Sequence, residues 1–191
     1  MLTLRDIGFD APSALLARYG LRLLRVDDDA PIPGSFWGEP EAGLIGHCVH
    51  ARDDTPVHSL LHEAAHLIVM PVDRRVTIHT NASDSIAEED ATCALQILLA
   101  DALPDVGGAR LMEDMDAWGY TFRLGSTRAW FERDAEDAFG FLVGIGVVER
   151  VESDQVTTCF QPDQVQDRVQ SARAGARVTF VLAKVTKTIC A

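Results

Sequence analysis

The stretch Val57-His58-Ser59-Leu60-Leu61-His62-Glu63-Ala64-Ala65-His66-Leu67-Ile68-Val69 decides how this chain is read. Apolar residues recur at 57, 60, 61, 64, 65, 68 and 69, which is the spacing of one helical face. Thr55 or Asp54 can cap such a helix, Pro56 suits its first position, and Pro71 closes it. Residues four apart on a helix lie one above the other. His62 and His66 can therefore offer two imidazole nitrogens to one ion, with Glu63 beside them. Two neutral nitrogens suit Zn²⁺, and a carboxylate that is not a ligand can take a proton from water. The competing reading is a core helix with two incidental histidines. Burying two histidines and a glutamate in so apolar a segment is costly unless they serve a purpose.

A catalytic zinc takes three protein ligands and keeps one position open, so a third ligand must come from elsewhere. His58 continues the spacing of four, but it lies eight residues from His66, a rise of ~12 Å, against Zn–N distances of ~2 Å. It is a substrate-side or supporting group, or a half-exposed histidine of the first turn. His47, His50 and His79 fall on β-prone segments and are weaker ligands. The acidic residues of Glu88-Glu89-Asp90-Ala91 open a second helix predicted over 86–103. Glu88 shares a stripe with Ala91, Leu95, Leu98 and Ala102, so it is preferred as the third ligand. The alternative is a capping box, with Glu88 reaching back to the Ser85 amide and Glu89 left to bind the metal. A carboxylate-bridged di-iron centre needs a second Glu-x-x-His, which the chain lacks. A mononuclear iron site of two histidines and one carboxylate has the same ligand types.

The 191 residues suit one domain, expected over 1–150, with a C-terminal extension over 151–191. A hydrophobic content of 47% and a charged content of 24% are those of a soluble globular protein. The net charge of −12 argues against nucleic-acid binding. No segment has the ~18 apolar residues of a membrane span, and residues 1–6 carry no signal core. The four cysteines are scattered without a Cys-x-x-Cys pair and read as buried thiols of a reducing cytoplasm.

Along the chain, a helix is expected over 10–19, ended by Gly20, then a strand over 21–26 and a loop over 27–34. Residues 35–39 and 44–51 suggest a hairpin turning at 40–43. After the histidine helix, 74–80 is β-prone. Short helical patterns follow over 109–117 and 162–172, a longer one over 127–142, and a strand over 178–185.

The order of these elements resembles the ImmA/IrrE group of zinc metallopeptidases. The resemblance rests on Thr55 to His66 and on Glu88-Glu89-Asp90-Ala91 with the Leu98-Leu99 pair. It covers about residues 10–103. It implies an α+β, zincin-like fold: a small, mostly antiparallel sheet packed on the active-site helix, with further helices around it. It also implies one Zn²⁺ per chain held by His62, His66 and Glu88, with Glu63 as general base. The expected reaction is hydrolysis of a peptide bond in an intracellular protein or peptide substrate. The alternative is a metal-stabilised regulatory or interaction domain with little turnover. Ala65 and Thr92 depart from the family pattern, and the region after Pro104 has no counterpart in it. Residues 44–51 are expected to form a strand edge beside the cleft, able to pair with an extended peptide. Tyr120, His79 and Arg123 are each chemically able to stabilise an oxyanion. Nothing in the sequence chooses among them, and the oligomeric state is equally open.

Overall fold

The computed structural model describes residues 1–83, 85–153, 169–173 and 176–182. It mixes helices with small sheets, as an α+β chain should. Helices α1 (Leu4–Ile7) and α2 (Asp10–Ala17) lead into β1 (Arg22–Arg25), β2 (Gly43–Ile45) and β3 (Cys48–Ala51). The sheet order is β1-β3-β2, with β1 parallel to β3 and β2 antiparallel to it, so the sheet is mixed rather than mostly antiparallel. The hairpin turns at Gly46 and His47, not at 40–43 as expected. Residues 35–39 form a loop instead of its first arm.

Helix α3 (Val57–Val69) is the predicted histidine helix. Its cap differs from expectation: Pro56 occupies the N-cap position and no side chain caps it. The Val57 N–H donates instead to the Leu2 carbonyl at 3.0 Å, so the N-terminal segment satisfies one of the free amides of the first turn. Thr55 Oγ1 accepts from the Arg52 amide. Leu60, Leu61 and Leu67 are fully buried among Leu44, Val49 and Ala51 of the sheet and the helices beyond. Each such side chain contributes ~1.5–3 kcal/mol of burial. Met70 and Pro71 end the helix.

The turn α4 (Val72–Arg75) stands where a β-prone segment was expected, and only His79 retains a bridge to Ile45. Helix α5 (Ile86–Ala100) then packs along α3. Every residue from Ala91 to Ala100 is buried, so this is a core helix on all sides. Helix α6 (Gly108–Trp118) matches its prediction. The long helix expected over 127–142 is two, α7 (Thr127–Arg133) and α8 (Glu136–Gly144), broken at Asp134 and Ala135. Strand β4 (Val148–Ser153) begins before residue 150 and pairs antiparallel with β6 (Ala176–Leu182), which also pairs with β5 (Val169–Arg173). The strand expected over 178–185 is thus found through 182. The helix expected over 162–172 lies outside the described residues except at 169–172, which are strand. Among the described residues no helix is long and apolar enough to cross a membrane.

Candidate metal centre

Three donor groups converge where α3 meets the N-terminal turn of α5. His62 Nε2 and His66 Nε2 are 3.1 Å apart. Glu89 brings one carboxylate oxygen to 3.4 Å from His66 Nε2 and the other to 3.8 Å from His62 Nε2. Ligands ~2.0–2.1 Å from a tetrahedral zinc stand about 3.3–3.4 Å apart. The three residues therefore already outline one face of such a site. Among the described residues no fourth histidine, cysteine or carboxylate joins the group.

The carboxylate that stands with the two histidines is Glu89, whereas Glu88, preferred from the sequence, lies away from them. Glu88 turns the other way and accepts two hydrogen bonds from the Arg74 guanidinium, at 2.9 and 2.7 Å. Arg74 also donates to the Ala82 carbonyl. This pairing holds the Glu88 carboxyl below the usual carboxylate range. The Ser85 hydroxyl caps α5 by accepting from the Glu88 amide, so half of the capping box forms, while the Glu88 side chain goes to arginine. The stripe argument failed because α5 is buried all round, and an apolar stripe on such a helix does not point in one direction. The useful signal was polar: Glu89, Thr92 and Gln96 recur at helical spacing, and Thr92 and Gln96 are completely buried. Buried polar side chains need partners, and these face the histidines.

Thr92 Oγ1 lies 3.3 Å from His66 Nδ1. With Nε2 turned to the donor cluster, Nδ1–H donates to that hydroxyl and fixes the ring, as outer partners of metal-bound histidines do. His62 Nδ1 and Gln96 Oε1 are both buried without a hydrogen bond of ordinary geometry. The Gln96 carboxamide is nonetheless the neighbour that favours the charged His62 ring. Burial dominates and lowers the His62 pKa to about 4, and that of His66 further still. Both rings are therefore neutral at physiological pH, which is the form that ligates a metal.

Glu63 stands beside this cluster but not in it. Burial, reinforced by the carboxylates of Glu41 and Glu89, pushes its carboxyl up to about 8. All of these groups line one open cleft of about 620 Å³. Of the three residues considered for oxyanion stabilisation, only Tyr120 lines it. Its ring is 6.0 Å from His62, and burial keeps its phenol protonated. His79 bonds its neighbour Thr80, and Arg123 is paired with Asp134. Gly119, at φ 109, ends α6 in the left-handed region and lets the chain turn so that Trp118 and Tyr120 both reach the cleft.

His58 is fully buried rather than half exposed. It packs between Trp118 and Tyr120 at ring distances of 5.1 and 5.7 Å, with neither ring nitrogen hydrogen-bonded. His50 sits on β3 and His47 in the turn between β2 and β3, and neither joins the donor group.

The strand edge expected to receive a peptide is already paired. β3 is the central strand. On the outer side of β2, the Leu44 amide donates to the Gly34 carbonyl and the Leu44 carbonyl accepts from the Thr80 amide. Gly34 allows this approach: a Cβ there would meet the Leu44 carbonyl at 2.4 Å.

No family model matches the chain, and neither the curated proteins nor the solved structures contain a significant match.

Proposed function

We propose that this chain is a zinc-dependent metallopeptidase, with His62, His66 and Glu89 holding one Zn²⁺ and Glu63 acting as general base. The observation that carries the reading is the triangle of three neutral or anionic donors, at zinc-compatible separations, on the floor of an open cleft. Bound there, zinc would polarise a scissile carbonyl and make water more acidic. With zinc bound beside Glu63, the charge of the ion would favour the carboxylate form, which would take the proton of the attacking water and deliver it to the leaving amine. Tyr120 is the protonated hydroxyl available to the oxyanion. The fold proposed is zincin-like, and the resemblance to the ImmA/IrrE group supports both fold and activity. Free Cys48 and Cys93 fit a reducing compartment, and we place the protein in the cytoplasm.

The absence of a fourth donor among the described residues favours hydrolysis over a purely structural metal, which fills all four positions with protein ligands. The test compares the wild-type chain with Glu63→Gln, loaded with zinc and offered a denatured protein such as casein. The variant should keep one zinc per chain and lose on the order of 10²–10⁴-fold in hydrolysis. Equal cleavage by the two proteins would remove Glu63 from the mechanism and the peptidase reading with it.

A further inference from the structure

Part of the cleft lining has a chemistry that the metal cluster does not explain. Glu41, Glu63 and Glu89 all line the cleft, and no arginine or lysine does so among the described residues. Glu63 and Glu89 have proposed roles at the metal, whereas Glu41 is not among the donors and touches the site only through its charge on Glu63. No ion pair to Glu41 forms among the described residues, and its contacts are neutral: the Trp118 side chain and the Trp37 backbone. Burial raises its pKa, and those two hydrogen bonds only partly offset the effect.

The surroundings of Glu41 are aromatic and firmly placed. A turn closed by Ser35 Oγ, which donates to the Gly38 carbonyl and accepts from the Gly38 amide at 3.0 Å each, carries Phe36 and Trp37. Trp37 is 81% exposed, with its ring edge-on to Phe36 at 4.9 Å. On the other side of Glu41, the Ala42 amide donates to Ser59 Oγ of α3 at 3.0 Å, which ties the loop to the helix that carries the histidines. Behind Trp118 lies His58, 1% exposed and lining the same cleft with both ring nitrogens unpartnered. A carboxylate that accepts from the Trp118 side chain, in a cleft that Trp37 and the buried, unpartnered His58 also line, is suited to a cation. The carboxylate supplies charge, the ring faces supply cation–π attraction, and the imidazole can accept an N–H.

We propose that the part of the cleft lined by Glu41, Trp37 and Trp118 is a subsite for a positively charged group of the substrate, an ammonium or guanidinium, with Glu41 as its counter-ion. The proposal rests on the peptidase reading for the identity of the ligand as part of a peptide, but not for the binding itself. The net charge of −12 would also draw such a ligand toward the protein. The cation has two possible sources in a peptide, a lysine or arginine side chain or a free N-terminal amine.

The test uses the full chain stripped of metal by a chelator, so that hydrolysis does not enter. The indole ¹H–¹⁵N signals of Trp37 and Trp118 are followed during titration, with buried Trp130 as the control for folding. The probes are acetyl-Gly-Gly-Lys-Gly-Gly-amide, its arginine and norleucine counterparts, and tetraglycine amide with a free or an acetylated N-terminus. A side-chain subsite should bind the lysine or arginine peptide about tenfold or more tighter than the norleucine peptide. A subsite for the chain terminus should show that ratio between free and acetylated tetraglycine instead. Either preference should collapse in Glu41→Gln, and Trp37→Ala should weaken binding several-fold. No discrimination in either pair, or a preference that survives Glu41→Gln, overturns the proposal. Neither result depends on whether the zinc-loaded chain cleaves peptides.

Discussion

Helices α3 and α5 lie side by side and bring donors to the same cluster, but they do so by different means. In α3 the two proposed ligands are set by the helix itself. His62 and His66 are one turn apart, and any regular helix over these residues places their rings on one side. In α5 the single proposed ligand comes from the first turn, just before the helix becomes buried on all sides at Ala91. Its position is a tertiary matter. It depends on where the helix starts, which the Ser85 cap sets, and on how α5 is rotated against α3. The packing of the buried residues from Ala91 onward, Thr92 and Gln96 among them, sets most of that rotation, and the Arg74–Glu88 pair adds a smaller restraint. Two ligands of such a site can thus be local while the third depends on the whole fold.

The largest expected effect is on the local half. His66→Ala or His62→Ala should abolish stoichiometric zinc binding, a loss well beyond the ~10–100-fold that changes to outer partners produce. Elemental analysis of the purified variants decides this. One zinc per chain in both would mean that α3 is a core helix and that its histidines are incidental.

Next in size is the contrast between adjacent glutamates. Glu89→Gln should weaken zinc binding by more than about tenfold, and Glu88→Gln should change it only a few-fold, because Glu88 is occupied by Arg74. Competition with a chromogenic chelator measures both. The opposite order would restore Glu88 as the ligand and require α5 to rotate by about 100°.

This contrast also marks how far the sequence could be read. The helix bounds of α3, its histidine pair and the position of Glu63 beside it follow from spacing and from Pro56 and Pro71. The small sheet was legible in outline, but its hairpin was misplaced because Gly46-His47 is a less obvious turn than Pro40 to Gly43. The split at Asp134 was hidden because apolar residues continue at helical spacing on both sides. Glu88 turns away from the histidines for a reason the sequence hid: its partner, Arg74, lies in a segment read as β-prone. Nothing local to 85–91 reveals that an arginine will claim one glutamate and leave the next for the histidines.

A smaller effect sharpens the tertiary half. Thr92→Val keeps the shape of the side chain and removes the hydroxyl that His66 Nδ1 meets at 3.3 Å. Zinc affinity should fall by about tenfold, at the low end for lost outer partners. The fold should persist, because the substituted methyl occupies the same buried space. Unchanged affinity would show that packing alone orients His66.

The smallest effect concerns Arg74, and its value is diagnostic. The guanidinium is 38% exposed and the Glu88 carboxylate 17%, so solvent screens their attraction. Removing the arginine should therefore lower stability only slightly and weaken zinc binding a few-fold, by loosening the first turn of α5. Arg74 and Glu88 act as one clamp. Arg74→Ala, Glu88→Ala and the double variant should consequently lose similar amounts, with a clear departure from additivity. The Ser85 cap and the buried face from Ala91 onward remain in all three, and they carry most of the placement of α5. If Arg74→Ala alone strips the zinc as thoroughly as Glu89→Gln, that division is wrong. The clamp, rather than the packing of α5 on α3, would then be what brings Glu89 to the histidines.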